Sequence, residues 1–376
     1  MSRTLVVTND FPPDHGGIES FVHALCAGMP PSDLVVYAST SPGDAEYDQG
    51  LAYPVVRDPT SVLLPTPGVA RRVLRVLDEY GCDRVLFGAA APLGLLAPRL
   101  RAAGAERIVG VTHGHEAWWA RVPGTRATLR RIGDACDTLT YVSDWCRRVI
   151  APALSPAAGA RMERLAPGVD GQRFRPGQGG AEVRSRLGIP ADAPVLVCVG
   201  RMVPRKGQDT LVRAWPRVLE QVPEARLLLV GDGPYRRTVQ RLVASRGVSD
   251  SVLLTGAVTG EEMPAFIDAG DVFAMPSRSR KRGLEVEALG IVALEAAACG
   301  LPVLAGDSGG SPDTVVHAET GYVVRSRSAE SVAAYAVALL QDRAKAAAMG
   351  KAARERVSTE WTWESTVGEL RRMLAC

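Results

Sequence analysis

Five short runs rich in β-branched and aliphatic residues, TLVVT (4–8), LVVYA (34–38), RVLFG (84–88), RIVGVT (107–112) and TLTYV (138–142), alternate with helix-length segments such as 17–28, 68–80 and 123–133. That rhythm predicts βαβ units, a parallel sheet with helices on both faces. It stops at APGVDGQRFRPGQGGAEV (166–183), which is rich in Gly, Pro and Gln and reads as an interdomain linker. It restarts with VLVCVG (195–200), RLLLVG (226–231), VLLTG (252–256), VFAMPS (272–277) and PVLAG (302–306). At 376 residues the chain exceeds one comfortable core. The expectation is therefore an α/β chain of two Rossmann-like domains, residues 1–168 and 181–357. From about Ala329 onward the sequence reads as two or more helices, broken near Gly350 and near Trp361. Ligands of such sheets bind at the carboxyl ends of the strands, so the loop after each run is where chemistry is sought.

Composition narrows the classes. Hydrophobic residues make up 46% and charged residues 23%, and a net charge of +3 without a basic, aromatic-laced stripe gives no reason to expect nucleic acid. The longest uncharged apolar stretch, Val85 to Pro98, is 14 residues, short of the ~20 that span a bilayer. The opening MSRTLVVTNDF enters a strand-like run without the apolar core of a signal peptide. Seven cysteines (26, 82, 136, 146, 198, 299 and 376) are scattered rather than spaced as metal ligands, and reduced thiols in a cytosol are expected. Only four of the 44 basic residues are lysines, which singles out Lys206.

Several strand-end loops carry residues suited to anions and hydroxyls. RMVPRKGQD (201–209) places Arg201, Arg205 and Lys206 between a strand and a helix. Such a cluster suits a diphosphate, and a solvated loop accounts for it equally well. GDGPYR (231–236) is a glycine-rich turn whose N–H groups could approach an anion, or simply a turn. EALGIVALEAAACGLP (287–302) reads as a helix starting near Gly290, so the N–H groups of Gly290, Ile291 and Val292 face the loop side. Glu295 would lie about a turn and a half into that buried helix, where a carboxylate needs donors. Sugar hydroxyls would supply them, as would a core arginine. NDFPPDHGGIES (9–20) brings Gly16 and Gly17 to a helix start, and HGHE (113–116) puts two histidines after a strand. Asp-x-Asp, HExxH, paired cysteines and a GxGxxG fingerprint after the first strand are all missing, which argues against a divalent-metal site and a dinucleotide dehydrogenase.

Together these motifs resemble the family-4 retaining glycosyltransferases of the GT-B fold, two Rossmann-like domains with a cleft between them. The resemblance rests on Glu287 and Glu295 flanking seven residues, on ACGLPVLAG and GGSPDTV after them, and on GRMVPRKG, VGDGP and the first-loop GG. THGHEAWWARVPG, SRSRKRGLEVEALGIV and AGDSGGSPDTV are similar to the actinobacterial subfamily that adds mannose from GDP-mannose to phosphatidylinositol monomannoside, an α-1,6 linkage. Ala288, where many members have Gly, and the basic insertion SRSRKR are departures that mark the subfamily.

The resemblance implies catalytic roles for Arg201, Lys206, Glu287 and His115. Arg201 and Lys206 would bind the donor diphosphate, Glu287 the donor sugar and Glu295 the ribose. Gly16, Gly17, Gly231, Asp232, Val258, Gly290, Ile291 and Val292 complete the implied donor contacts, and Asp14 the acceptor side. It further implies front-face retention, no cofactor and no metal, a last helix (about 360–376) returning to the first domain, and closure about hinges near 166–183 and Ser358–Trp363. A lipid acceptor implies a cytoplasmic protein resting on the anionic inner face of the plasma membrane. The helix 68–80, with Arg71, Arg72 and Arg75 on one side and Val69, Val73, Val76 and Leu77 on another, would suit that surface or pack as an ordinary surface helix. Trp118–Trp119 would be interfacial or simply packed. Two competing readings share the scaffold: transfer from UDP-glucose or UDP-GlcNAc to a soluble acceptor, and a non-catalytic nucleotide-sugar-binding module.

Overall fold

The computed structural model describes residues 2–14 and 16–375, which divide into two compact units, residues 2–168 with 363–375 and residues 169–362. In the first unit a parallel sheet runs in the order β3 (Val55–Asp58), β2 (Leu34–Ser39), β1 (Thr4–Thr8), β4 (Arg84–Phe87), β5 (Arg107–Gly110), β6 (Thr138–Tyr141), β7 (Glu163–Arg164). Every residue of β1 and β2 is buried, as expected of strands covered on both faces. Two edge strands, β3 and β7, escape the sequence reading because Val-Val-Arg-Asp and Glu-Arg offer too little apolar run to be recognised. The last helix, Trp363–Leu374, packs against Gly17–Ala27 and beneath β5, where Met373 gives its carbonyl to Arg107.

The second unit holds a six-stranded parallel sheet ordered β10 (Val252–Gly256), β9 (Arg226–Val230), β8 (Val195–Val199), β11 (Val272–Met275), β12 (Val303–Gly306), β13 (Gly321–Val324). β13 is a further edge strand without a signal strong enough to be read. The glycine-rich segment after Val169 is fastened within this unit: the N–H groups of Gly177, Gln178 and Gly180 all donate to the Asp268 carboxylate, and Val169 donates to the carbonyl of Trp361. The expected helix break near Gly350 does not occur. The helix Arg343–Glu360 runs through it, and a Cβ there would lie 1.9 Å from the carbonyl oxygen of Gly300. Glycine at 350 serves close helix-to-loop packing; the break lies at Gln341, after which Asp342 caps the new helix by accepting from the Lys345 N–H.

The helix Pro67–Glu79 buries Val69, Ala70, Val73, Val76 and Leu77, while Arg71 and Arg75 are exposed. Arg72 departs from the expected basic face. It turns onto Asp58 at the end of β3 (2.7 Å), a wholly buried carboxylate that also accepts from Thr60 and Tyr37. Burial alone would raise the Asp58 pKa, but the hydrogen bonds from Arg72, Thr60 and Tyr37 outweigh it and hold it at about 2. Asp58 therefore contributes stability that is complete above the ordinary aspartate range and is lost as pH falls from about 4 toward 2. Asp58→Asn is expected to cost about 3 kcal/mol in denaturant titrations at pH 7, with the gap to the native protein narrowing between pH 4 and pH 3.

Candidate functional site

In the second unit the sequence-predicted donor residues lie past the carboxyl ends of β8 and β11, with a second group past β9 and β10. A short 3₁₀ turn, Pro204–Lys206, follows β8 and leads through Gly207 into the helix Gln208–Leu219. Lys206 is 8% exposed and its Nζ lies 2.7 Å from Glu287 Oε2; an Arg205 guanidinium nitrogen lies 3.3 Å from the same oxygen. Arg201 is exposed, its carbonyl fixed by Gln208. Burial would push the Glu287 carboxyl up, but the charges of Lys206 and Arg205 dominate and hold it below the usual glutamate range. Glu287 is thus an ionised carboxylate ready to accept hydroxyl hydrogens.

Glu295 sits in the opposite electrostatic state. The helix Ile291–Ala298 begins after Gly290, whose left-handed φ of 94° turns the chain so that the first N–H groups face the loops. Glu295, the fifth helical residue, has an Oε2 buried without a hydrogen-bond partner, and among the described residues no ion pair joins it to a core arginine. Burial raises its pKa to about 7, offset in part by the charges of Arg173 and Lys206. Arg173 is held elsewhere, donating to the Gly260 carbonyl and lying over the Phe174 ring. Three more buried polar atoms of this unit, Gln208 Oε1, Ser277 Oγ and Ser311 Oγ, lack a hydrogen-bond partner, the last 3.9 Å from where a Gly290 Cβ would stand. A buried polar atom without a partner is costly, and a ligand is one way to satisfy it. Sequence reading did not single out Ser277 or Ser311, although Ser277 closes the run VFAMPS and Ser311 lies within GGSPDTV.

The ends of β9 and β10 form a second group. The Gly231 N–H donates to the Gly256 carbonyl at 2.8 Å, which sets the 231–234 turn beside the loop containing Val258. Asp232 is half-exposed, accepting from the Gly233 N–H and from Arg236.

In the first unit, Gly16 caps the helix Gly17–Ala27, and a Cβ on it would lie 2.1 Å from the Glu19 carboxylate, which folds back over the helix start. Asp14 is exposed. His115 Nε2 lies 3.3 Å from Glu116 Oε1, and its ring stacks on His113. Glu116, unremarked in the sequence reading, is wholly buried and accepts the N–H groups of His113 and Gly114. His113 Nε2 meets the Gly88 carbonyl at 2.6 Å, and burial lowers its pKa, so His113 is neutral near pH 7. Burial and Glu19 raise the pKa of Asp10, a further member of this cluster. Among the described residues no group of three or more His, Cys, Asp or Glu side chains is placed to hold a metal, and no helix is long and apolar enough to cross a membrane.

Comparison with known proteins identifies the family. The family described as Glycosyl transferases group 1 matches residues 181–356, and Glycosyltransferase Family 4 matches residues 15–173. The chain belongs to this family of glycosyltransferases. It is 48% identical to the GDP-mannose-dependent alpha-(1-6)-phosphatidylinositol monomannoside mannosyltransferase of Mycobacterium tuberculosis, over 98% of this chain and 97% of that one. The GDP-mannose-dependent monoacylated alpha-(1-6)-phosphatidylinositol monomannoside mannosyltransferase of Corynebacterium glutamicum is 44% identical over 96% of this chain and 95% of its own. Among solved structures, HepE of Anabaena in complex with UDP matches with a TM-score of 0.82 at 19% identity, covering 99% of both chains. Sucrose-phosphate synthase from Thermosynechococcus elongatus matches with a TM-score of 0.77 at 24% identity over 99% of each. At these identities the likeness establishes the fold: two Rossmann-like domains of the GT-B type.

The raised pKa of Glu295 has a signed consequence for stability. A carboxyl whose folded pKa exceeds its unfolded value favours the fold at low pH and loses that contribution as pH rises from about 4.5 through about 7. Glu295→Gln, which cannot ionise, is expected to melt several degrees above the native protein at pH 8 and close to it at pH 5. An equal shift at both pH values would contradict the burial of this group.

Proposed function

We propose that this chain transfers mannose from GDP-mannose to a phosphatidylinositol mannoside, forming an α-1,6 linkage with retention at the anomeric carbon. Supporting the substrates are the near-full-length relatives at 44–48% identity, each named for this donor and this acceptor class. The observation that carries the chemistry is the contrast between Glu287, ionised against Lys206 and Arg205, and Glu295, buried with an oxygen lacking a donor. Glu287 accepts hydroxyls of the mannose. Glu295 accepts those of the ribose.

The leaving group is a diphosphate, and its negative charge grows as the bond from the sugar C1 breaks. Arg201, Lys206 and the N–H groups of Gly290, Ile291 and Val292 are placed in advance for that charge, on the scale where one such donor is worth about 100-fold or more in kcat. The acceptor hydroxyl oxygen forms its bond to C1 on the same face, and its proton passes to the departing phosphate oxygen. Gly16 and Gly17 add backbone contacts to the donor, while Gly231, Asp232 and Val258 contact the nucleotide. His115, oriented by Glu116, stands beside the transferred hexose, and Asp14 contacts the acceptor. Fixed cations take the role that a metal has in other transferases, so the reaction is metal-independent.

The acceptor's anionic, acylated chemistry suits a protein lying on the cytoplasmic face of the plasma membrane. Val62 and Leu64 are 59% and 52% exposed on either side of Leu63, which is wholly buried and doubly hydrogen-bonded to the Asn9 amide. This apolar tip precedes the helix carrying exposed Arg71 and Arg75, each worth about 1 kcal/mol near anionic lipid. Exposed Trp118 and Val122 add apolar surface on the same unit.

Incubation with labelled GDP-mannose and a phosphatidylinositol monomannoside is expected to yield a lipid carrying one added mannose, with no transfer from UDP-glucose and undiminished rate in EDTA. Transfer from UDP-glucose alone, or loss in EDTA reversed by Mg²⁺, would overturn the reading. In sedimentation with phosphatidylinositol vesicles, replacing Val62 and Leu64 by Ser should reduce the fraction bound to lipid; unchanged sedimentation would remove this surface from the account.

A further inference from the structure

We propose that Gly309 and Gly310, in the loop after β12, are positioning residues that set where the Glu287 carboxylate stands. The inference rests on the reading of Glu287 as the sugar-binding carboxylate and adds what fixes it in place. Glu287 belongs to no helix or strand, so its own secondary structure does not locate it. The loop after β12 does.

The loop is anchored where it leaves β12. Asp307 accepts the Ser326 N–H at 3.1 Å and its hydroxyl at 2.6 Å, and the Ser308 hydroxyl meets the Ser279 hydroxyl at 2.5 Å. Ser279 lies in the segment leading to Glu287, so this contact stitches the two loops together. Just past these anchors the Gly310 N–H donates to the Glu287 carbonyl at 2.9 Å. Gly309 has a left-handed φ of 63°, and a Cβ on it would lie 2.1 Å from that carbonyl oxygen and 2.4 Å from Val286 Cγ1. The backbone of Glu287 therefore rests directly on the face of Gly309 where any other residue carries a side chain.

A carbon cannot sit that close to a carbonyl oxygen, so a methyl at 309 must push the Glu287 backbone away by about 1 Å, a displacement that in a substrate-positioning residue costs about 100-fold in rate. Glu295 stands on a separate helix and reads the nucleotide end of the donor. Displacing Glu287 should thus impair handling of the sugar and spare handling of the nucleotide.

The test compares native protein with Gly309→Ala, measuring kcat with GDP-mannose and the inhibition constant of GDP, which lacks the sugar. The expected result is a kcat lowered about 100-fold with GDP inhibition within about twofold of native. Full activity in Gly309→Ala overturns the positioning role, as does a parallel loss of GDP binding, which would make the loop a support for the whole site. Should Gly309→Ala not fold, Ser308→Ala decides: it removes one stitch and leaves the backbone unobstructed, so a smaller fall in kcat with unchanged GDP inhibition supports the role, and native kcat overturns it. A native protein that neither binds GDP nor turns over GDP-mannose would instead overturn the functional reading itself.

Discussion

Two carboxylates sit eight residues apart where a parallel sheet meets its loops, and the cost of burying their charge shapes everything around them. Glu287 is relieved by Lys206 at 2.7 Å and Arg205 at 3.3 Å, which makes it an ionised acceptor before any substrate arrives. Glu295 is not relieved. Desolvation pushes it up to about 7, and one of its oxygens is left without a donor. In the proposed function this unrelieved group is what a ligand supplying hydroxyl hydrogens, without added charge, would satisfy.

The packing of the second unit serves that arrangement. Asp209, almost wholly buried, pairs with Arg278 at 2.7 Å, and the Arg278 N–H donates to the Arg205 carbonyl. The cationic loop is thereby tied to the strand end that precedes Glu287. The first unit repeats the device around a different carboxylate: Glu116, wholly buried, draws in the N–H groups of His113 and Gly114 and lies beside His115. In both units a buried acid organises a strand-end loop, in keeping with the rule that open α/β sheets bind ligands at strand carboxyl ends.

Much of this was legible in the sequence. All ten apolar runs read as strands are strands, because buried parallel strands require uninterrupted Val, Leu and Ile. Gly290 starts its helix where the run of small residues said it would. Illegible were the edge strands β3, β7 and β13, too short or too charged to stand out, and Gly350, whose glycine answers to a neighbour 50 residues away and not to its own helix. Partnerships between distant side chains were equally hidden. Arg72 looked like part of a basic face and turns to Asp58, while the Lys206–Glu287 pair and the seating of Glu287 on Gly309 join residues whose proximity only the folded chain creates.

Counting the protons released when GDP binds tests the role of Glu295 most directly. Titration calorimetry in buffers of different ionisation enthalpy separates that count from the binding heat. If ribose hydroxyls donate to both oxygens of an ionised Glu295, binding lowers its pKa, so at pH 6.5 the native protein releases more protons per GDP than Glu295→Gln, and at pH 9 the two release the same number. Equal release at pH 6.5 would contradict an ionised Glu295 as the acceptor of the ribose hydroxyls.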